Sequence, residues 1–363
     1  MWLVWVVIIQ QAVISEKSIN GRHLNPELLM NISEIIQYWG YPSEEYEIMT
    51  SDGYYLKANR IPNGIHSGEK TGPKPVVLLV PGFLSEGRCW LINLPSNSLG
   101  FVLADAGYDV WIINNRGTTW SRRHQNLTID QEEFWDFSFH EMAIYDIPAA
   151  INFILHKTNQ DSLYYIGHSQ GASLGLITFS VFPQLAQKTK LLIFLAPSST
   201  IKGIKGIGKY ILLLPYKVKR VGISHRFTFL YYLIHLPGLR KICIQIFASF
   251  VGFNKNNINM VSKLTTFSYF ASLLPQTKPL FYKIEDVTVP TAVWNGGNDF
   301  IVTPENINRL LPRLTNLVFH KYIPSWNHAD FIWGLDVSKY LHEDIFYLIQ
   351  RLKFNLRRGF CTG

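Results

Sequence analysis

The five residues Gly167-His168-Ser169-Gln170-Gly171 follow directly on the apolar run Leu163-Tyr164-Tyr165-Ile166. A serine with glycine two positions to either side, entered from a strand and left by a helix, reads as a nucleophile on a sharp elbow. The turn lifts the Ser169 hydroxyl above the end of a sheet. A free serine hydroxyl attacks poorly, so it needs an imidazole base that a carboxylate orients. Downstream, Val293-Trp294-Asn295-Gly296-Gly297-Asn298-Asp299 reads as a buried strand ending in a glycine turn and an acid. Further on, Trp326-Asn327-His328-Ala329-Asp330 lies in a loop between the strand Leu317–His320 and a closing helix. Ser169, Asp299 and His328 stand in the chain order that accompanies such an elbow. Asp286 and Glu285 are rival acids, but they precede their strand. His320 and His342 are rival bases, placed in the strand and the closing helix. Two backbone N–H groups must meet the developing oxyanion. Gln170, next after the nucleophile, supplies one, and Phe83, in the loop after Val76–Val80, supplies the other. Pro81 has no N–H to give.

The elements that must position these groups alternate. Residues 45–60 read as a β-hairpin around Ser51-Asp52-Gly53, and residues 61–75, rich in Gly and Pro, as a surface loop. Strands follow at Val76–Val80, Asp109–Ile113, Leu163–Ile166, Leu191–Leu195, Thr291–Trp294 and Leu317–His320, the first two reading as buried. Helical periodicity lies between them over 98–106, 138–156, 170–182 and 305–311, and again over 338–352. Strands alternating with helices imply a mostly parallel, doubly wound α/β sheet with helices on both faces.

Composition sets further bounds. Of 363 residues, 47 % are hydrophobic and 17 % charged, which excludes a disordered chain. Three cysteines, Cys89, Cys243 and Cys361, with no C-x-x-C pair, exclude a disulfide framework and argue against a zinc site. Met1 to Ile9 is almost purely apolar, which suits a signal peptide and is too short to span a bilayer. The sequons at Asn31 and Asn126 agree with a secretory route. No later run is apolar for long enough to form a transmembrane helix in the mature chain. The net charge of +8 is uneven: Ser162 to Ile284 carries fifteen of the 34 Lys and Arg but none of the 26 Asp and Glu. That segment is +15 and the rest −7. Its basic residues interleave with apolar runs such as Tyr210–Leu214, as in an inserted helical cap that meets an anionic or lipid surface. No nucleic-acid-binding module is visible.

The chain resembles the gastric and lysosomal acid lipases, a branch of the α/β-hydrolases. The resemblance is carried by Met30-Asn31-Ile32-Ser33-Glu34-Ile35-Ile36, Tyr38-Trp39-Gly40-Tyr41-Pro42, Leu103-Ala104-Asp105-Ala106-Gly107-Tyr108-Asp109-Val110-Trp111, Asn115-Arg116-Gly117, Gly167–Gly171 and Asp330-Phe331-Ile332-Trp333-Gly334. It implies an α/β-hydrolase fold divided into a signal peptide (1–18), a first core part (19–185), a helical cap (186–289) and a second core part (290–363). It implies a secreted or lysosomal serine lipase acting on neutral lipid esters, such as triacylglycerols or cholesteryl esters, at a lipid–water or membrane surface. No cofactor, metal or nucleic acid is called for. Ser169, Asp299 and His328 would form the triad, and the Phe83 and Gln170 amides the oxyanion hole. The chain departs from the family at three points. Pro81-Gly82-Phe83 stands where the family has His-Gly-Leu, the stretch from Asn259 to Pro290 is shorter, and Cys243 has no nearby partner. A catalytically weak or inactive lipid-surface protein on the same fold is the alternative expectation.

Overall fold

Val76–Val80 is apolar at every position because the strand it forms is covered on both faces. Val77 and Leu79 enter one core, which also holds Trp90, Phe101, Ile166, Trp294 and Trp326. Val76, Leu78 and Val80 enter a second core on the opposite face, with Phe134, Ile151, Tyr165 and Phe194. Asp109–Ile113 and Leu163–His168 follow the same rule and are buried along their whole lengths. The structure, a computed structural model, describes residues 26–65, 72–83, 85–199, 252, 257 and 281–359.

The strands are β1 (Glu44–Met49), β2 (Tyr54–Ile61), β3 (Val76–Val80), β4 (Asp109–Ile113), β5 (Arg123–His124), β6 (Leu163–His168), β7 (Thr189–Leu195), β8 (Thr291–Gly296) and β9 (Leu317–Ile323). They form one sheet in the order β1-β2-β4-β3-β6-β7-β8-β9, with the two-residue β5 beside β2. β1 and β2 are the antiparallel hairpin expected from the Ser51-Asp52-Gly53 turn, and β2 is antiparallel to β4. From β4 to β9 every pairing is parallel. The helices are α1 (Ile32–Tyr38), α2 (Leu99–Asp105), α3 (Ile147–Thr158), α4 (Gln170–Val181), α5 (Pro183–Gln187), α6 (Pro304–Leu310), α7 (Asp330–Trp333) and α8 (Glu343–Gly359).

Several boundaries move outward from the sequence expectation. β6, β8 and β9 run two or three residues further, because parallel pairing continues to their C-terminal ends. Periodicity did not reveal α1, which a reciprocal capping box starts: the Asn31 side chain takes the Glu34 N–H, and the Glu34 carboxylate takes the Asn31 N–H. The helical stretch before α3 contains a π-turn, Met142–Asp146. Thr189–Leu195 is a central strand between β6 and β8. The expected signal segment and residues 200–251, 253–256 and 258–280 of the expected cap lie outside the described residues.

Candidate active site

The elbow forms where β6 leaves the middle of the sheet. Val80 of β3 pairs with Gly167 on one side, and Leu195 of β7 pairs with His168 on the other. Ser169 then adopts φ 52° and ψ −114°, a backbone conformation that side chains other than glycine rarely take. Its N–H donates to the Leu195 carbonyl at 2.8 Å, which ties the turn to the sheet. α4 begins at the next residue. A Cβ on Gly171 would lie 2.3 Å from the Val80 carbonyl oxygen, and one on Gly167 would lie 2.6 Å from the Ala172 nitrogen. Strand and helix approach too closely for any side chain at either position, which is why the motif carries two glycines.

The loops that leave β8 and β9 bring the other two groups to this serine. The Ser169 hydroxyl lies 2.7 Å from His328 Nε2, and His328 Nδ1 lies 2.8 Å from Asp299 Oδ2. With hydrogen on Nδ1, the imidazole donates to the carboxylate and accepts from the hydroxyl. The second oxygen of Asp299 accepts from the Ile301 and Val302 N–H groups at 2.9 and 2.8 Å. The carboxylate is therefore fixed by three donors. All three residues are buried. This geometry permits general-base activation of an alcohol nucleophile.

The turn after β3 lies against the elbow. A Cβ on Gly82 would be 3.2 Å from Ser169 Cβ and 3.0 Å from His168 Nδ1. Phe83, next in that turn, packs its ring on the core that holds Val80 and Tyr165. Gln170 opens α4, and an α-helix leaves its first N–H groups without intrahelical acceptors. The two expected oxyanion donors thus sit on the two turns that flank Ser169.

The rival residues fall elsewhere. Glu285 is exposed and ion-paired with Arg313 at 2.6 Å; that hydrogen bond holds its carboxyl down to about 2. Asp286 is also exposed. His320 bonds Asn295 Oδ1 at 2.7 Å, and His342 is buried in a π-turn before α8. Asn31 is half-buried at the start of α1, whereas Asn126 and Thr128 are exposed. Among the described residues no cluster of three or more His, Cys, Asp or Glu is arranged to hold a metal, and no helix is long and apolar enough to cross a membrane.

The sequence reading missed two buried titratable groups, one beside the elbow and one in the segment after β3. His168 is buried, and burial, followed by the facing His328, holds its pKa down to about 3. Glu86, three residues beyond Phe83, is 3 % exposed, and among the described residues its Oε2 has no hydrogen-bond partner. Burial raises its carboxyl to about 7, against the opposing pull of Trp120, Arg88, Thr119 and Arg122. Nothing in the sequence around Glu86, which stands between Ser85 and Gly87-Arg88, marks it as buried. His168 had no signal beyond its unspecified place in the motif.

Two family descriptions match the chain: a partial alpha/beta-hydrolase lipase region over residues 32–94, and the alpha/beta hydrolase fold over 75–210. The chain is 43 % identical to lipase member M of Homo sapiens, over 100 % of this chain and 96 % of that protein. That alignment runs over 410 positions against 363 residues here, so the relative carries residues that this chain lacks. It is 41 % identical to human lysosomal acid lipase/cholesteryl ester hydrolase, over 90 % of this chain and 92 % of the other. With gastric triacylglycerol lipase of Mus musculus it shares 39 % identity over 95 % and 98 %. An esterase of Pyrococcus furiosus has the same fold, with TM-score 0.53 at 14 % identity, over 92 % of this chain and 97 % of the other. With the elbow, the sheet order and full-length relatives in agreement, the chain belongs to the α/β-hydrolase lipases, in the branch that holds lysosomal acid and gastric lipases.

Proposed function

We propose that the protein is a serine carboxylic-ester hydrolase of neutral lipid esters, working through an acyl-enzyme. The hydrogen-bonded chain from Asp299 through His328 to Ser169 carries this reading. His328 Nε2 takes the Ser169 proton as Oγ attacks the ester carbonyl. The tetrahedral oxyanion is met by the Gln170 and Phe83 N–H groups. Asp299 holds the imidazole in the accepting tautomer and stabilises the imidazolium. That imidazolium then protonates the departing alcohol, and a water molecule repeats the sequence in reverse to release the fatty acid.

Triacylglycerols and cholesteryl esters are the substrate classes, by analogy with the two relatives whose names state them. The apolar N-terminus and the exposed Asn126 sequon support a secretory route, ending outside the cell or in the lysosome. The basic segment between residues 188 and 283 supports action at an anionic or lipid surface. A second reading, a catalytically weak or inactive lipid-surface protein, draws on Pro81 in the oxyanion turn and on the shorter stretch from Asn259 to Pro290. A fluorophosphonate probe separates the two. It should label Ser169, lose its target in Ser169→Ala, and be matched by hydrolysis across a panel of short, medium and long acyl esters from acid to neutral pH. Absence of labelling in the folded protein overturns the hydrolase reading.

A further inference from the structure

This inference deepens the ester-hydrolase reading and rests on it. His168 closes β6 immediately before the nucleophile and is 7 % exposed. Its Nε2 lies 3.0 Å from the backbone carbonyl oxygen of His328. A carbonyl only accepts, so Nε2 carries the hydrogen and donates. The two imidazole rings lie 5.0 Å apart, tilted by 44°. On its other side the His168 ring meets the turn after β3, where its Nδ1 is 3.0 Å from the place a Cβ on Gly82 would take. One side chain therefore touches the backbone of the residue that carries the base and the turn that carries Phe83.

We propose that His168 is a positioning residue, a buried spacer that sets the His328 loop and the Phe83 turn in register around Ser169. The need for it follows from where those groups sit. His328 and Phe83 ride on loops, whereas Ser169 is fixed to the sheet through the Leu195 carbonyl. Among the described residues, the hydrogen bond to the His328 carbonyl comes from His168. Without it, the imidazole is held by its Asp299 contact and the rest of its loop. A side chain that stays uncharged is required here, because an imidazolium on His168 would oppose the one that forms on His328. Gly82 is part of the same arrangement: a larger residue would push the ring away from the turn. Misplacement of reacting groups by about 1 Å lowers rates on the order of a hundredfold.

The test compares His168→Met, which keeps bulk and loses the donor, with His168→Gln, whose side-chain amide reaches the same carbonyl. Acylation by p-nitrophenyl butyrate is followed in the burst phase. Rates are expressed per Ser169 titrated with a fluorophosphonate, so that unfolded protein is not counted. The expected result is a fall of about 10- to 100-fold in His168→Met, with KM within about twofold, and recovery of most of the loss in His168→Gln. Wild-type acylation per titrated site in His168→Met, or a glutamine variant no better than the methionine one, overturns the proposal. A variant-free arm uses the wild-type protein labelled with 15N-histidine. His168 should show the Nε2–H tautomer and no titration from pH 5 to 8. A resonance that titrates in that range, or an Nδ1–H tautomer, overturns the proposal even if the His168→Met variant does not fold. A wild type that neither labels nor hydrolyses would overturn the hydrolase reading instead, and the NMR arm still decides the His168–His328 contact.

Discussion

Both carboxylate oxygens of Asp299 are committed, one to His328 and one to two backbone N–H groups. Asp299→Asn preserves the shape and changes the chemistry. With the two N–H donors keeping the amide oxygen on their side, the amide NH2 faces Nδ1 and demands that it accept. Nε2 then carries the hydrogen and no longer takes the Ser169 proton. The expected fall in kcat is on the order of 10³- to 10⁴-fold, with the fold intact by circular dichroism. Asp286→Asn should leave kcat unchanged, since that carboxylate is exposed on another turn; the reverse ranking would move the acid to Asp286. A second prediction concerns the turn after β3. Pro81 fixes its own φ near −65° and restricts Val80, which leaves little freedom to aim the Phe83 amide. Replacing Pro81 by His and Phe83 by Leu together should improve the aim of that amide and raise the acylation rate, by no more than one oxyanion donor is worth, about 3 kcal/mol. Burst kinetics with an activated ester read this directly; an unchanged or lower rate means that the native turn is already well aimed.

At the scale of elements, the loop that leaves β4 is pinned by a buried cation. Arg116 pairs with Asp146, in the π-turn before α3, and with Asp52, in the β1–β2 turn, at 2.6 Å each. Its guanidinium also lies 4.1 Å from the centre of the Tyr54 ring. Asp146→Ala leaves that charge buried with half its partners, so it should destabilise the protein by about 3–5 kcal/mol, measured by urea unfolding. Equal stability of variant and parent would show that water reaches Arg116. Elements of this kind divide what the sequence reveals from what it hides. The central strands were legible because burial on both faces makes them uniformly apolar, as in Val76–Val80. Ser169, Asp299 and His328 were legible because each sits where a strand gives way to a turn. α1 was not, since its start lies in an exchange of hydrogen bonds between Asn31 and Glu34 rather than in periodicity. The extra residues of β8 and β9 also escaped, because Asn295, Gly296 and Lys321 are not strand-like, and pairing alone makes them so. His168 and Glu86 owe their state to neighbours distant in the chain, which composition does not record.

At the scale of the whole molecule, stability and charge give two further predictions. Glu86 has its carboxyl raised to about 7 when folded, against 4.5 for the ordinary group. Between those values the native state binds more protons than the unfolded chain, so this group's contribution to stability declines as pH rises through that window. Above pH 7 the buried charge opposes folding. Glu86→Gln should therefore be more stable than the parent at pH 8, by about 1–3 kcal/mol, and nearly equal to it at pH 4.5. Thermal melts at the two pH values test this; a pH-independent difference would mean that Glu86 is charged in both states. The charge asymmetry predicts adsorption to anionic vesicles that weakens steeply with salt, because surface charges are screened over about 10 Å at 0.1 M. Neutralising Lys217, Lys219 and Arg220 together should lower adsorption without changing turnover of a soluble short-chain ester. Salt-independent adsorption would assign it to apolar contacts alone. The separation of Ser169 from His328, 159 residues along the chain, has a last consequence. During synthesis the serine emerges long before the histidine that would activate it. A hydrolase of the proposed kind would gain its base only once β9 has paired with β8 and the loop after it has carried His328 to the elbow.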